Sequence, residues 1–323
     1  METVPFLFLD SLYALLSKSS IKNLSKIDGK CLEFISSDYL NKIESFMFEI
    51  GARGDSFHYQ FSFGFHDNPT FEVVKTMDRR YLRLERFAYT DFVQGFRTIS
   101  VAQEELLEMM DFVLPHMNGD CRLRLTGNDF HFNRILYPKL HGIDTFKNLA
   151  TVYQCEDSIK LLENYINSSS TRKFIILEGD NWPQIAIPSL KKVVFLPSFY
   201  RLHADRTTLT FELPFFKEII HKWKEGSLDW TEDGEIYAYF PFELETLASE
   251  LESEDPIKMN TNVMYLVKHP NKSKNILLIR FFMDKVQFEH LICHCGYGRV
   301  TINRQNCCKI FHMNAAFHST LNP

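Results

Sequence analysis

The first fifty residues have apolar side chains at the spacing of amphipathic helices. From residue 4 to residue 50, apolar positions recur three and four places apart, so each turn has a hydrophobic face. Polar and turn-forming residues at 17–20 and 28–29 interrupt this pattern. Residues 51–55 have the composition of a linker. We therefore predict a helical segment of several short helices over residues 1–50.

The pattern then changes to a period of two. Aromatic side chains occupy every second position after residue 56 and polar residues stand between them, which predicts a strand with one buried face. Apolar runs at 71–75, 82–87 and 92–99 predict that this strand continues into an antiparallel meander over residues 57–99. The alternating aromatic residues are Phe57, Tyr59, Phe61, Phe63 and Phe65.

Residues 100–255 alternate between short apolar runs and stretches with helical spacing. In one such stretch, Pro214 stands at the favoured first position of a helix, apolar residues continue to Trp223, and Gly226 provides a stop. Because this alternation recurs along the chain, we predict stacked strand and helix units that resemble irregular leucine-rich repeats.

The last part of the chain, residues 260–323, is predicted to be rich in β-structure. Apolar runs at 264–267 and 276–282 flank the turn-forming residues 269–271, which predicts a β-hairpin with a longer loop. The whole pattern predicts a mixed α+β fold. Its parts are the helical segment, the antiparallel meander, the strand and helix units, and the C-terminal hairpin.

Composition and charge exclude several classes of protein. Hydrophobic residues make up 45% and charged residues 24% of the 323 residues, which is typical of a globular chain of about two domains. The net charge of −5 provides no general attraction to phosphate backbones, so we expect no nucleic-acid partner. Glu2 stands where a signal peptide has basic residues, and Asp10 interrupts the apolar run that a signal peptide needs. No apolar stretch is long enough to span a membrane.

The seven cysteines indicate reduced thiols and an intracellular location, in the cytoplasm, the nucleus or both. Those near the C-terminus raise the question of zinc, since thiolate and imidazole are its ordinary ligands. Their spacing is unlike that of known structural sites, and the alternative is that they are simple reduced thiols. The weak metal candidates are Cys293, Cys295, Cys307 and His312.

No sequence pattern indicates catalysis, and we expect neither catalytic residues nor a cofactor. Residues 54–57 are similar to the nucleophile block of one esterase class, but the downstream Asp-x-x-His that would activate Ser56 is missing. A basic segment at 79–86 has the composition of a nucleic-acid surface. Because Arg83 and Glu85 would share one face of a strand, a solvated sheet surface is the favoured interpretation.

Several segments nevertheless resemble a known family. Residues 4–12, followed by a short helix with Ile21 and Leu24, are similar to a divergent F-box. Residues 161–166 and 174–177, the latter ahead of Trp182-Pro183, resemble the F-box-associated proteins of nematodes. Residues 215–223 and 265–270 fit the same family. The chain departs from a typical F-box at residues 46–50, where a basic and aromatic ending is usual.

This resemblance implies a non-enzymatic substrate receptor of a Skp-cullin-F-box type ubiquitin ligase. The N-terminal helices would bind a Skp-type adaptor, and the region beyond residue 51 would bind an unidentified target protein. The first alternative is that the same N-terminal side chains form an internal helical cap on the sheet. The second is a zinc-stabilised or small-molecule-binding domain with no ubiquitin role. The implied adaptor-binding residues are Val4, Pro5, Phe6, Leu9, Leu12 and Leu16.

Overall fold

A computed structural model of the chain has a mixed α/β fold, as the sequence predicts. It divides into two compact units, Met1–Thr171 and Arg172–Pro323. The described residues form ten α-helices and thirteen strands. They are residues 6–27, 30–53, 56–64, 68–91, 98–143, 146–168, 172–228, 230, 233–243, 245–251, 257–259, 262–272 and 275–292.

The first unit begins with three helices and continues with six strands and four further helices. The helices are α1 (Phe6–Leu15), α2 (Lys18–Leu24), α3 (Lys30–Lys42), α4 (Phe71–Lys75), α5 (Gln103–Val113), α6 (Phe130–Leu140) and α7 (Glu156–Asn167). The strands are β1 (Glu44–Arg53), β2 (Ser56–Phe63), β3 (Leu82–Thr90), β4 (Ile99–Val101), β5 (Met117–Leu125) and β6 (Asn148–Val152).

The six strands of the first unit lie in the order β6-β5-β3-β1-β2-β4. Strands β6, β5, β3 and β1 are parallel to one another, whereas β2 pairs antiparallel with both β1 and β4. A parallel pair needs a crossover, and helices supply these connections in each case. The unit therefore consists of strand and helix elements added to one edge of an antiparallel hairpin.

Strand β1 corrects the predicted end of the helical segment. Residues 44–50 were predicted to be helical and residues 51–55 a linker, but Glu44–Arg53 is a strand. Phe46, Phe48 and Ile50 are buried on one side of it, a period of two that the helical spacing of the preceding residues obscures. The predicted boundary at residue 50 therefore falls inside a strand. Residues 54–55 lie outside the described part.

The predicted antiparallel meander is correct only in part. Phe57, Tyr59 and Phe61 alternate with half-buried polar residues on β2, as predicted, while Phe63 is half-buried and Phe65 lies outside the described residues. The run at 71–75 is a helix instead of a strand, and β3 is parallel to β1. The prediction failed because a five-residue apolar run fits a buried strand and a short helix equally well.

The second unit has seven strands and three helices among its described residues. The helices are α8 (Ile187–Val194), α9 (Leu213–Glu225) and α10 (Glu245–Ala248). The strands are β7 (Lys173–Glu178), β8 (Phe199–Arg206), β9 (Glu235–Tyr239), β10 (Ile257–Met259), β11 (Asn262–Lys268), β12 (Asn275–Phe282) and β13 (Lys285–Ile292).

The strands of the second unit lie in the order β7-β8-β9-β13-β12-β11-β10. Strands β7, β8 and β9 are parallel, and the remaining strands are antiparallel to their neighbours. The predicted C-terminal hairpin corresponds to β11 and β12. Helix α9 also agrees with prediction, because Pro214 lies in its first turn and Gly226 ends it with a φ of 74°.

Large aromatic rings form much of the core of each unit. In the first unit, Phe48 stacks on Phe61 across strands β1 and β2, with ring centroids 4.6 Å apart. In the second unit, Phe216 of α9 stacks on Phe288 of β13 at 5.9 Å, and Trp223 donates a hydrogen bond to the carbonyl oxygen of Val267. These rings fill the buried face of each sheet, and in the second unit they hold α9 against it.

Candidate functional site

Helix α1 has apolar side chains on two faces, and only one of them is buried. Leu9 and Tyr13 face inward and form a core cluster with Ile21, Leu32 and other residues of α2 and α3. Leu9 has only 7% of its surface exposed. This is the position that an internal helical cap requires, so Leu9 cannot contact a partner unless α1 leaves the core.

The other face of α1 is apolar and exposed. Phe8, Leu12 and Leu15 have 60%, 37% and 79% of their surface exposed, respectively. Their spacing of four and three residues places them on one side of the helix. We call these three residues the α1 outer stripe. An exposed apolar stripe of this kind lowers the solubility of a protein, and such stripes are typical of surfaces that bind another protein.

The predicted adaptor-binding residues fall into different positions. Leu12 belongs to the α1 outer stripe, Leu9 is buried, and Leu16 is partly buried against the core cluster. Phe6 begins helix α1, but its side chain lies outside the described residues, as do Val4 and Pro5. Sequence reasoning missed Phe8 and Leu15. Since α1 is apolar on both faces, its periodicity could not show which face is outward.

Helix α1 is bound to the sheet of the first unit by Arg83. This side chain, on β3, donates hydrogen bonds to the carbonyl oxygens of Tyr13 (2.8 Å) and Leu16 (2.7 Å) at the end of α1. It also donates to the carbonyl oxygens of Arg80 and Leu82. Only 4% of Arg83 is exposed, and burial lowers the pKa of its guanidinium. The expected solvated sheet surface is therefore wrong at this residue, which has a structural role.

Two tyrosines make further polar contacts among the N-terminal helices. The hydroxyl of Tyr39 donates to the backbone carbonyl of Asp10 (2.8 Å) and to its carboxylate (2.7 Å). Burial, together with the adjacent Asp10, raises the pKa of Tyr39. The hydroxyl of Tyr13 lies 2.7 Å from that of Ser36. These bonds hold the orientation of α1, and hence the direction in which its outer stripe points.

The second unit presents a polar and aromatic surface on the open face of its sheet. On β8 and β9, buried residues such as Leu202 and Ile236 alternate with half-buried residues that point to the opposite face. The same alternation continues on β13. We call the following half-buried residues the β8–β9–β13 surface: Arg201, His203, Asp205, Glu235, Tyr237, Lys285 and Gln287.

Glu235 is at the centre of this surface. One of its carboxylate oxygens lies 3.2 Å from Nε of Arg201 and 3.3 Å from Nε2 of His203. Gln287 donates a hydrogen bond of 2.6 Å to the other oxygen. Burial favours the protonated acid, but the hydrogen bond and charge of His203 and the charge of Arg201 outweigh it, so the pKa of Glu235 is lowered. The carboxylate is therefore ionised at neutral pH.

Aromatic rings surround the charged groups of the β8–β9–β13 surface. The guanidinium of Arg201 lies over the rings of Tyr200 at 5.1 Å and Phe174 at 5.7 Å. On the other side, Lys285 lies 5.8 Å from the Tyr237 ring and 3.3 Å from Asp205. Arginine and aromatic residues at a half-buried surface are the residue types that contribute most to protein-binding energy.

Ser56 and His58, in the first unit, bring a hydroxyl and an imidazole together. The Ser56 hydroxyl lies 3.2 Å from Nε2 of His58 on strand β2. Among the described residues no carboxylate makes an ion pair with His58, so the group that would orient a catalytic base is missing from that part. Burial raises the pKa of the Cys121 thiol to about 12, which keeps this buried cysteine protonated.

The predicted metal candidates Cys293, Cys295, Cys307 and His312 lie outside the described residues. Within the residues that are described, no group of three or more His, Cys, Asp or Glu could hold a metal ion. Helices α3 and α9 have 13 residues each, and in the described part of the chain no helix has the length and hydropathy needed to cross a bilayer.

Comparison with known proteins does not assign the chain to a family. It matches no family model, no curated protein and no solved structure. The assignment of a function therefore depends on the surfaces described above.

Proposed function

We propose that this protein is a non-enzymatic protein-interaction module, the substrate receptor of a Skp-cullin-F-box type ubiquitin ligase. The observation that carries the proposal is the α1 outer stripe, in which Phe8, Leu12 and Leu15 are exposed on a helix whose opposite face is buried. A helix that is anchored on one side and apolar on the other supports docking into the groove of a partner. The role would place the protein inside the cell.

The second part of the proposal concerns the target protein. A receptor needs a second surface, separate from the one that binds the adaptor. The β8–β9–β13 surface supports this role because it combines an arginine, two other basic side chains and aromatic rings on rigid strands. Arg201 pairs with Glu235 and Lys285 pairs with Asp205, so these charges have partners when no target is bound.

The adaptor part of the proposal is tested with the full chain and a purified Skp-type adaptor. We expect the two to co-elute in size-exclusion chromatography. Leu15→Asp should abolish the complex, because it places a charge on the stripe, and it should leave the melting temperature unchanged, because the side chain is 79% exposed. Ile185→Asp is the matched control, since Ile185 is also exposed (71%) but belongs to the second unit.

Two results would contradict the adaptor role. The first is a wild-type chain that does not bind the adaptor. The second is a Leu15→Asp protein that still binds it as tightly as the Ile185→Asp protein does. If Leu15→Asp lowers the melting temperature by several degrees, the same comparison is made with Phe8→Asp, whose side chain is 60% exposed.

A further inference from the structure

The first unit has a cavity that is lined mainly by cationic side chains. Its volume is about 500 Å³, and its walls come from helix α2, from the sheet strands β1, β3 and β5, and from Lys147 directly before β6. The basic residues that line it are Lys18, Lys22, Arg86, Arg122 and Lys147, and the other lining residues are Ser19, Met47, Glu85 and Asp120. We call it the cationic cavity.

The two acidic residues of the cavity do not balance its five cations. Asp120 accepts hydrogen bonds from the backbone N–H of Ser19 (3.1 Å) and from its hydroxyl (2.8 Å), and these bonds hold α2 against β5. Arg86 pairs with Glu49 at 3.3 Å. Arg86 is therefore balanced by Glu49, and among the described lining residues Glu85 and Asp120 leave the other four cations in excess.

Four of the cations make no ion pair with any residue that the structure describes. These are Lys18, Lys22, Arg122 and Lys147. Like charges around one cavity repel each other, and this repulsion lowers the stability of the free protein. A concave surface of one sign also concentrates ions of the opposite sign. The arrangement is therefore suited to an anionic ligand.

The lining also limits the class of anion. No aromatic ring is among the described lining residues, so the cavity has no platform on which a nucleobase could stack. Met47 is the one large apolar side chain among the lining residues that the structure describes. The volume is within the range of small-molecule sites, roughly 300–1,000 Å³. Lysine ammonium groups and an arginine fork, held on a helix and on strands, are suited to phosphate oxygens.

We propose that the cationic cavity binds a small organic polyanion that carries several phosphate groups. Lys18 and Lys22 would contact the ligand from helix α2, and Arg122 and Lys147 would contact it from the sheet side. This proposal does not depend on the adaptor or the target, so it can fail or succeed independently of the proposed function.

The test uses inositol hexakisphosphate as a probe, with sulfate at equal ionic strength as the competing simple anion. We expect calorimetry with the full chain to show one binding site for the probe and no saturable binding of sulfate. The double variant Lys22→Gln and Arg122→Gln should weaken binding by about tenfold or more, since each lost charge-assisted contact to phosphate contributes strongly.

A matched double variant controls for the loss of charge. Lys26→Gln and Lys160→Gln removes two exposed cations that do not line the cavity, and we expect binding within about twofold of wild type. Equal weakening by both double variants would overturn the proposal, as would sulfate binding as tightly as the probe. Tight binding of a peptide with one phosphate, without binding of the probe, would also overturn it.

All residues changed in this test are exposed, and the cavity variants also lose like-charge repulsion, so the variants should keep at least the wild-type melting temperature. If the first double variant does not, Lys18→Gln and Lys147→Gln on the same cavity replaces it. If the wild-type chain does not bind the probe, the proposal is rejected.

Discussion

Arg83 donates a hydrogen bond of 2.7 Å to the carbonyl oxygen of Leu16, from a strand of the sheet to the end of helix α1. With the bond to Tyr13, whose carbonyl oxygen also accepts from the N–H of Leu16 at 3.2 Å, it gives two carbonyl groups at the end of the helix a charged donor. The N-terminal helices are therefore not a separate module joined by a linker. They are part of the first unit, and the orientation of the α1 outer stripe depends on the sheet beneath it.

Replacing Arg83 with methionine should destabilise the protein by about 3 kcal/mol, because buried carbonyl groups lose a charged donor and no water replaces it. Arg80→Met is the control. Arg80 is more than half exposed and pairs with Asp78, so water can replace its contacts and its loss should cost far less than the loss of Arg83. Denaturant unfolding of the two variants measures the difference. An Arg83→Met protein no less stable than Arg80→Met would contradict the structural role.

His116 should make stability depend on pH between about 4 and 6.5. Burial, followed by the charges of Arg79 and Arg83, lowers the pKa of His116 from 6.5 to about 4. The unfolded chain therefore takes up the proton at a higher pH than the folded protein does. The contribution of the neutral ring is complete above pH 6.5 and is lost progressively as the pH falls towards 4.

The expected loss is about 2 kcal/mol, less than the full pKa difference would give, because part of the ring is accessible to solvent. His116→Phe should reduce this pH dependence, because a phenyl ring takes up no proton. The variant should still fold, since position 116 packs against Phe46 and Phe112 and the carbonyl of Leu82 keeps a bond from Arg83. Urea unfolding at pH 7.5 and pH 5 compares the variant with wild type. Equal pH dependence in both proteins would show that His116 is not responsible.

The fold could be predicted from the sequence where an element has one clear apolar face. Helix α9, with Pro214 and Gly226 at its ends, and the aromatic alternation on β2 were identified in this way. The prediction failed at β1, whose pairing with both β2 and β3 determines its structure. The pairing with β3 joins residues that are distant in sequence, and a local pattern does not contain this information.

The candidate sites were predicted less completely than the fold. Leu12 was identified, but Phe8 and Leu15 were not, because α1 is apolar on both faces. The β8–β9–β13 surface and the cationic cavity were not identified at all. Their charged residues come from strands far apart in the chain and, for the cavity, also from helix α2 and from Lys147, so they become neighbours only in the folded units.

Glu235→Gln should destabilise the second unit by roughly 1–3 kcal/mol at pH 7, because Arg201 and His203 lose the carboxylate that they share. The pKa of Glu235 is lowered in the folded protein, so the stabilisation is present above the unfolded value of 4.5 and is lost as the pH falls through the lower folded value. The difference in unfolding free energy between wild type and variant should therefore decrease towards pH 3.

Glu243→Gln is the control for this experiment, since Glu243 is exposed and should have little effect at any pH. A difference between wild type and Glu235→Gln that does not change with pH would show that ionisation of Glu235 is not the cause. Glu235→Gln should also weaken the binding of the target protein to the β8–β9–β13 surface, once that target is identified.

Gly226→Ala should cost about 1–2 kcal/mol. Gly226 ends helix α9 with a φ of 74°, a conformation that residues with a side chain rarely adopt. An added Cβ would also lie 2.6 Å from Nδ2 of Asn271, which would have to move. Gly142→Ala is the matched control, because no heavy atom lies within 4 Å of its added Cβ. Thermal unfolding should separate the two variants, and equal melting temperatures would be inconsistent with a left-handed cap.

The order of strands in the first unit has an evolutionary consequence. Strands β1, β3, β5 and β6 are neighbours in the sheet in the same order as they occur along the chain. A duplication or deletion of one strand with its helix would therefore widen or narrow the sheet without disturbing the register of the strands on either side. A lineage could in this way change the breadth of the first unit's sheet in whole steps, while single substitutions at the outward positions change only its surface chemistry.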